Sequence, residues 1–160
     1  MNEATKPVNP AKEAIHLAAE ARVKTFSYKA PTALERVKEI VHLTQTPHVR
    51  VNVQVVKEGG ENNLHYHTNS DGVWIVLRGR AKFYGPGDAL IGDLGEHEGI
   101  TLPGGSRYWF EKTSTEELEI LQIVAVHDAT KKTARINLDQ HKEWMTDGFL
   151  QKYADDDGDD

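Results

Sequence analysis

Hydrophobic and polar residues alternate along much of the chain between Arg50 and Val126. In RVNVQV the valines fall on one face and Asn52 and Gln54 on the other, since successive side chains of a strand point to opposite sides. Further β-prone runs recur every 8 to 12 residues or so, with glycine or proline between them. They are GVWIVLRG, RAKFYG, EGITL, RYWFEK and LEILQIVAV. This pattern predicts an all-β antiparallel sandwich or barrel.

The segments on either side of this core show different residue patterns. Asn9 and Pro10 suit the cap and first position of a helix, so an alanine-rich helix is predicted after them. KTFSY and KEIVHLT are the first β-prone runs, although LERVKEIVHL also fits an amphipathic helix. The predicted units are an N-terminal helical extension, a barrel with its core at 50–126, a C-terminal helical extension and a disordered acidic tail, over residues 1–23, 24–137, 138–154 and 155–160.

The formal net charge of −6 comes mainly from the tail, because DDDGDD holds five acidic residues. The rest of the chain is close to neutral and has no basic stripe, so we expect no nucleic-acid partner. No apolar run approaches the ~18 residues of a membrane span, and the start lacks the apolar stretch of a secretory signal. A cytoplasmic protein without membrane association is therefore expected. The chain has no cysteine, so nitrogen and oxygen would have to ligate any metal.

Two histidines one residue apart, His65 and His67 (the histidine pair), are the clearest candidate chemistry. In a strand they would direct both imidazoles to one face and Tyr66 to the other. That geometry suits two ligands of one metal. It also suits the polar face of an exposed strand, and the spacing alone leaves both interpretations open.

The surroundings of the pair resemble the first motif of the cupin superfamily, with Gly59, five residues, the pair, an acidic residue and then Gly79. Pro103-Gly104-Gly105 followed by Tyr108 resembles the second motif. The resemblance covers about residues 50–126. It implies an antiparallel double-stranded β-helix, the cupin jelly-roll barrel, with a site in its mouth.

Two of the four metal-ligand positions of that family differ here. Gly72 stands at the carboxylate position, with Asp71 one residue early, and Tyr108 stands where the third histidine is usual. The resemblance implies one divalent transition metal (Fe, Mn, Ni, Zn or Cu) on His65 and His67. Asp71 would be the third ligand if residues 68–71 are loop. The alternative is a metal-free pocket in which the pair and Tyr108 act as hydrogen-bonding or acid–base groups.

Four further residues are candidate ligand contacts. The amides of Asn52 and Gln54 face either a polar pocket or solvent. Gln122 is an amide within a strongly apolar strand, where it usually has a buried partner, and a ligand is one possibility. Trp74 alternates with aliphatic residues, so packing in the core or at a dimer interface is its first interpretation and ligand contact its second.

Two functions remain open at this level. The first is a metal-dependent enzyme acting on a small organic molecule, of dioxygenase, isomerase, epimerase, cyclase or lyase type, with Tyr108 as catalytic proton donor in an isomerisation. The second is a non-catalytic cupin that binds a small ligand such as a sugar derivative or metabolite. The resemblance also implies a homodimer, because single-barrel cupins often pair through edge strands and residues 24–44 are well placed to cover a partner's edge.

Overall fold

The computed structural model describes residues 9–138. Within them a helix, α1 (Pro10–Glu20), precedes ten strands. The strands are β1 (Lys38–Gln45), β2 (Val49–Val56), β3 (His65–His67), β4 (Ser70–Arg78), β5 (Ala81–Tyr84), β6 (Leu90–Leu94), β7 (Gly99–Leu102), β8 (Trp109–Lys112), β9 (Leu118–Val126) and β10 (Arg135–Asn137).

All strand pairs are antiparallel, and they form three sheets with the orders β1-β2-β9-β4-β7, β6-β5-β8 and β10-β3. The five-stranded and three-stranded sheets pack face to face through aromatic side chains. The Trp74 ring centroid lies 6.2 Å from that of Phe83 and 5.7 Å from that of Phe110. The predicted all-β antiparallel architecture is confirmed.

Gly79 turns the chain from one large sheet into the other. Its φ of 86° lies in the left-handed region, and a Cβ there would come within 2.6 Å of Ser114 Oγ. Only glycine meets both conditions without strain. The predicted corner between β4 and β5 is therefore present, and the GPGD segment forms the predicted turn between β5 and β6 as a short 3-10 turn, Pro86–Asp88.

The predicted helix forms as α1, where the Asn9 side chain accepts a hydrogen bond from the Ala11 N–H at 3.0 Å. β1 confirms the strand interpretation of KEIVHLT over the helical one. KTFSY, however, forms no strand. It has no ladder of backbone hydrogen bonds to a neighbouring strand, and Tyr28 instead anchors it by donating to Glu119 Oε2 at 2.8 Å.

The predicted C-terminal extension, apart from Leu138, and the predicted acidic tail lie outside the described residues, as do residues 1–8. α1 has 11 residues, and the described part of the chain contains no helix with the length and apolar character needed to cross a bilayer.

Strand register arranges the inner face of the five-stranded sheet in rows. One row is Arg50, Val124, Gly72 and Leu102, and the next is His42, Asn52, Gln122, Trp74 and Ile100. The two rows beyond them are Ile40, Gln54, Ile120 and Val76, then Lys38, Val56 and Leu118. Each row contributes at least one polar side chain to this inner face, and these side chains line the site.

Candidate functional site

A cavity of about 1020 Å³ lies inside the barrel. All eight residues singled out from the sequence line it, although their chain positions span 70 residues or so. They are Asn52, Gln54, His65, His67, Asp71, Trp74, Tyr108 and Gln122. The fold therefore brings the candidate residues to one place.

The histidine pair occupies β3, with both imidazoles on one face and ring centroids 5.0 Å apart. His65 is 1% exposed. Tyr108 lies directly opposite it in a two-residue bridge: the His65 N–H donates to the Tyr108 carbonyl at 3.1 Å, and the Tyr108 N–H donates back at 2.9 Å. The two rings are 4.5 Å apart between centroids. Three rings thus form one continuous patch of the cavity wall.

The hydrogen bonding of His65 fixes its tautomer. Its Nδ1 lies 2.7 Å from the Asn63 carbonyl oxygen, which can only accept, so Nδ1 carries the proton and Nε2 is left as an acceptor. Burial, then the charge of Arg135, keeps the pKa of His65 well below its usual value. Burial and Arg135 likewise lower the pKa of His67 to about 4. Both imidazoles are therefore neutral at pH 7.

Tyr108 lies deeper than expected. The predicted proton donor is 3% exposed, and its ring stacks on Phe83. Burial raises its pKa, an effect that Arg135 and the nearby indole N–H of Trp74 only partly offset. Tyr108 is a neutral phenol at physiological pH, and its role as a proton donor stays a prediction.

Asp71 is not brought to the histidine pair. Only Thr68 and Asn69 separate β3 from β4, so residues 68–71 are not all loop and Asp71 already belongs to the strand. Asp71 and Trp74 are an odd number of positions apart in this strand, so their side chains point to opposite faces of the sheet, and Trp74 points inward. The carboxylate Oδ1 accepts from the Gly104 N–H at 2.8 Å and lies 2.9 Å from His127 Nε2. The Gly104 N–H, then His127, lowers the pKa of Asp71. The expectation that Asp71 completes a 2-His-1-carboxylate set is corrected on this geometry.

Gly72, at the family's carboxylate position, also lines the cavity. A Cβ at Gly72 would lie 3.6 Å from Trp74 Nε1 and 3.9 Å from the Leu102 carbonyl oxygen, both ordinary contact distances. The backbone at Gly72 therefore accommodates a Cβ without displacing its neighbours.

The amides of the wall form a small network. Gln54 Nε2 donates to Gln122 Oε1 at 3.2 Å, so the buried partner predicted for Gln122 is another side chain. Gln54 Oε1 has no hydrogen-bond partner among residues 9–138. Asn52 Oδ1 lies 2.8 Å from His42 Nδ1. Asn52 and Gln54 face the cavity and not the outer solvent. Ligand binding by these amides stays a prediction.

Trp74 packs mainly in the hydrophobic core, as its alternation with aliphatic residues predicted. It is buried against Phe83, Phe110 and Tyr108, and it also lines the cavity. Its Nε1 makes no hydrogen bond within the described part of the chain. The indole N–H thus lies at the cavity wall, close to the Tyr108 phenol.

Sequence reasoning missed the cations of the wall. β10 pairs with β3 so that Arg135 lies opposite His67, and directly paired residues share a face. Arg50 enters from β2, and Lys38 from β1 is 4% exposed. Burial lowers the pKa of Lys38 to about 7, further lowered by Arg135 and opposed by Glu61. No local pattern could reveal these residues, because each reaches the cavity through long-range strand pairing.

The described residues do not fit a divalent metal. The histidine pair offers two neutral nitrogens, but Gly72 and a protonated Tyr108 stand at the other two family positions. Within residues 9–138 no three His, Asp or Glu side chains group closely enough to hold a metal ion. The guanidinium of Arg135 is also close enough to disfavour positive charge on both histidines. The donor set lacks the anionic ligand that a dication prefers.

Comparison with solved structures bears on the fold. An RmlC-like cupin family protein with a double-stranded β-helix fold from Methanocaldococcus jannaschii has a TM-score of 0.54 and 21% identity, over 66% of this chain and 93% of its own. A protein with a double-stranded β-helix domain from Klebsiella pneumoniae has a TM-score of 0.57 and 20% identity, over 74% and 96%.

An oxalate oxidase in complex with the substrate analogue glycolate has a TM-score of 0.51 and 17% identity, over 67% of this chain and 59% of its own. No family model matches the sequence, and no curated protein matches it. Sequence identities this low support a shared fold and say nothing about a shared activity. Strand order, the histidine pair on an inner wall and these likenesses agree: this chain has the double-stranded β-helix fold of the cupin superfamily.

Proposed function

We propose that this protein binds a small organic molecule inside the barrel, through hydrogen bonds and charges and without a metal. The observation that carries the proposal is the composition of the cavity wall, where imidazoles, a phenol, amides, an indole N–H and cations converge on about 1020 Å³. Small-molecule sites typically occupy ~300–1,000 Å³ and combine an apolar lining with a few convergent polar groups. This is the non-catalytic alternative raised by the sequence.

Different residues of the cavity wall would supply apolar contacts and hydrogen bonds to the ligand. Trp74 and Leu102 supply apolar surface. Tyr108, a protonated phenol, can donate to a ligand oxygen, while His65 Nε2 can accept from a ligand hydroxyl because Nδ1 is engaged by Asn63. Donors and acceptors on one wall select a ligand that carries both oxygen acceptors and hydroxyl groups.

A second candidate function is the metal-dependent enzyme. One observation favours it: the Nδ1–H of His65 is held by a backbone carbonyl, which is how proteins commonly orient a metal-binding imidazole. The absence of a third ligand among the described residues weighs against it.

Two measurements test the proposal. Untagged protein is analysed for metal content and titrated calorimetrically with Mn²⁺, Zn²⁺ and Cu²⁺, and a set of neutral sugars, organic acids and phosphates is screened by thermal shift. We expect substoichiometric metal and at least one stabilising small molecule. Tyr108→Phe should weaken that molecule's binding by about 0.5–1.5 kcal/mol, the value of one neutral hydrogen bond.

Tyr84→Phe is the matched control, because the Tyr84 hydroxyl donates to Glu111 at 3.0 Å and does not line the cavity. Stoichiometric metal that disappears in the His65→Ala/His67→Ala double variant would replace this proposal with the enzymatic one.

A further inference from the structure

We propose that Lys38 is a covalent binding site for carbonyl compounds, at which the amine condenses with an aldehyde or ketone in the cavity to form an imine. This inference rests on the proposed function and names the ligand class for the same cavity, because Lys38 belongs to its wall. It adds one reversible covalent bond to the hydrogen bonds described above. The position of Lys38 in the barrel carries it.

Strand register places Lys38 on the inner face of the five-stranded sheet. β1 pairs with β2 so that Lys38 lies opposite Val56, in the row furthest from Arg50. The residue is 4% exposed, and it lines the cavity. Its Nζ lies 5.3 Å from the centroid of the Phe110 ring. A small molecule in the cavity can therefore reach an amine that bulk solvent hardly contacts.

The surroundings of the amine favour its neutral, nucleophilic form. Burial, then the positive charge of Arg135, lowers the pKa of Lys38 to about 7, although Glu61 opposes them. The nearby His65 is itself neutral at pH 7. Desolvation and a neighbouring cation are two ways in which proteins activate a lysine as a nucleophile. About half of the Lys38 amine is therefore neutral at pH 7, against roughly 0.03% for a lysine with the ordinary pKa of 10.5.

Imine formation requires only the lone pair of Nζ. A neutral amine keeps that lone pair whichever acceptors its N–H groups donate to, so other contacts of the Lys38 side chain do not exclude the reaction. Nζ adds to the carbonyl carbon and forms a C–N bond. The carbonyl oxygen then leaves as water with both amine protons, and a C=N bond remains. The step consumes no oxidant or reductant, and it is reversed by water.

Reductive trapping on the full untagged chain tests the inference, with propanal as the aldehyde probe and hydroxyacetone as the ketone probe. At pH 7 sodium cyanoborohydride reduces an imine to a stable secondary amine, and peptide mass spectrometry locates the added mass. With at least one probe, we expect the Lys38 peptide to be labelled about tenfold or more faster than the peptide that contains the exposed Lys29, because far more of the Lys38 amine is neutral.

Two controls connect this reactivity to the fold. In denaturing urea the preference for Lys38 should disappear, because unfolding returns the amine to water. In a time course of intact mass, Lys38→Met should lose the fast addition, and the matched variant Lys29→Met should keep it.

Equal labelling of the Lys38 and Lys29 peptides in the folded chain would overturn the inference, and so would a preference for Lys38 that persists in urea. The thermal-shift screen separates this failure from that of the proposed function. A stabilising molecule without a carbonyl group, found while Lys38 stays unlabelled, would overturn the inference and leave the proposed function standing.

Discussion

At the scale of single residues, Lys38 shows how the fold imposes unusual chemistry. Its ammonium lies 5.3 Å from the centroid of the Phe110 ring, inside the barrel. Burial is the largest cause of its lowered pKa, followed by the like charge of Arg135, with Glu61 acting in the opposite direction. A lysine in an apolar row is thus held close to its titration point at neutral pH.

This pKa predicts a dependence of stability on pH. The folded pKa of Lys38 is about 7 against an ordinary 10.5, so between those values the unfolded chain binds more protons than the folded one. The free energy of unfolding should therefore rise with pH in that window, by up to about 1.4 kcal/mol per pH unit from this group. Below pH 7 the penalty is fully present.

Lys38→Met should remove that slope. Urea unfolding at pH 7.5, 8.5 and 9.5 would show the stability difference between variant and wild type shrinking as pH rises. Lys29→Met, at an exposed lysine, controls for the general loss of one amine. Parallel pH profiles for wild type and Lys38→Met would mean that Lys38 does not titrate in this range.

Gly72 is the second residue-scale feature with a direct test. It lines the cavity and has room for a Cβ, and the family pattern has a carboxylate at this position. Gly72→Glu should therefore supply the missing anionic ligand beside the histidine pair and raise calorimetric affinity for Mn²⁺ or Zn²⁺ over wild type.

Gly72→Gln is the control, since it has the same shape without the charge and should not gain metal affinity to the same extent. Equal metal binding by wild type and Gly72→Glu would show that the absence of this carboxylate is not what weakens the metal site.

At the scale of elements, β8 is supported on one side by side chains in place of a strand. It pairs with β5 along one edge. On the other edge the buried Asn62 accepts from the Phe110 N–H at 2.9 Å, and Glu61 accepts from the Lys112 N–H at 3.4 Å. The loop before β3 thereby satisfies backbone donors that a further strand would otherwise pair.

Asn62→Ala should destabilise the protein by about 1–3 kcal/mol, the cost of leaving a buried backbone donor without an acceptor. Thr115→Ala is the control, because the exposed Thr115 hydroxyl reaches only the neighbouring Glu116. Denaturant titration measures both. A change below about 0.5 kcal/mol for Asn62→Ala, the range of ordinary surface substitutions, would indicate that water replaces the amide.

At the scale of the whole molecule, the N-terminal segment stands apart from the barrel core. No residue of α1 is buried, and Phe26 is 54% exposed in the segment that follows. Leu90 and Ile91 on the edge strand β6 are also exposed. Exposed apolar side chains on an edge strand, as at Leu90 and Ile91, are typical of surfaces that associate. The homodimer expected from the sequence stays a prediction.

Light scattering after gel filtration should therefore give a dimer mass for the full chain, and Phe26→Asp should shift the population toward monomer. Lys24→Asp, which places the same charge at a nearby exposed position, should have a smaller effect. A monomer mass for the full chain at micromolar concentration would refute the predicted homodimer.

Local sequence patterns determined which side chains share a strand face and where the chain turns. The two-residue period placed Asn52 and Gln54 on one face of a strand and His65 and His67 on one face of another. Glycine and proline positions located the corner at Gly79 and the turn at GPGD. These features are readable from sequence because alternation and turn chemistry depend on neighbours within a few residues.

Tertiary structure decided what the cavity contains. The start of β4 at Ser70, one residue before Asp71, turned that carboxylate to His127, and strand pairing brought Arg135 beside His67 and Gln54 beside Gln122. A shift of one residue in a strand exchanges its faces. The partner of a strand depends on hydrogen bonds between segments far apart in the chain, and no local pattern encodes it. The sequence alone therefore determined a barrel with a histidine pair, and the long-range pairing made the wall around that pair cationic.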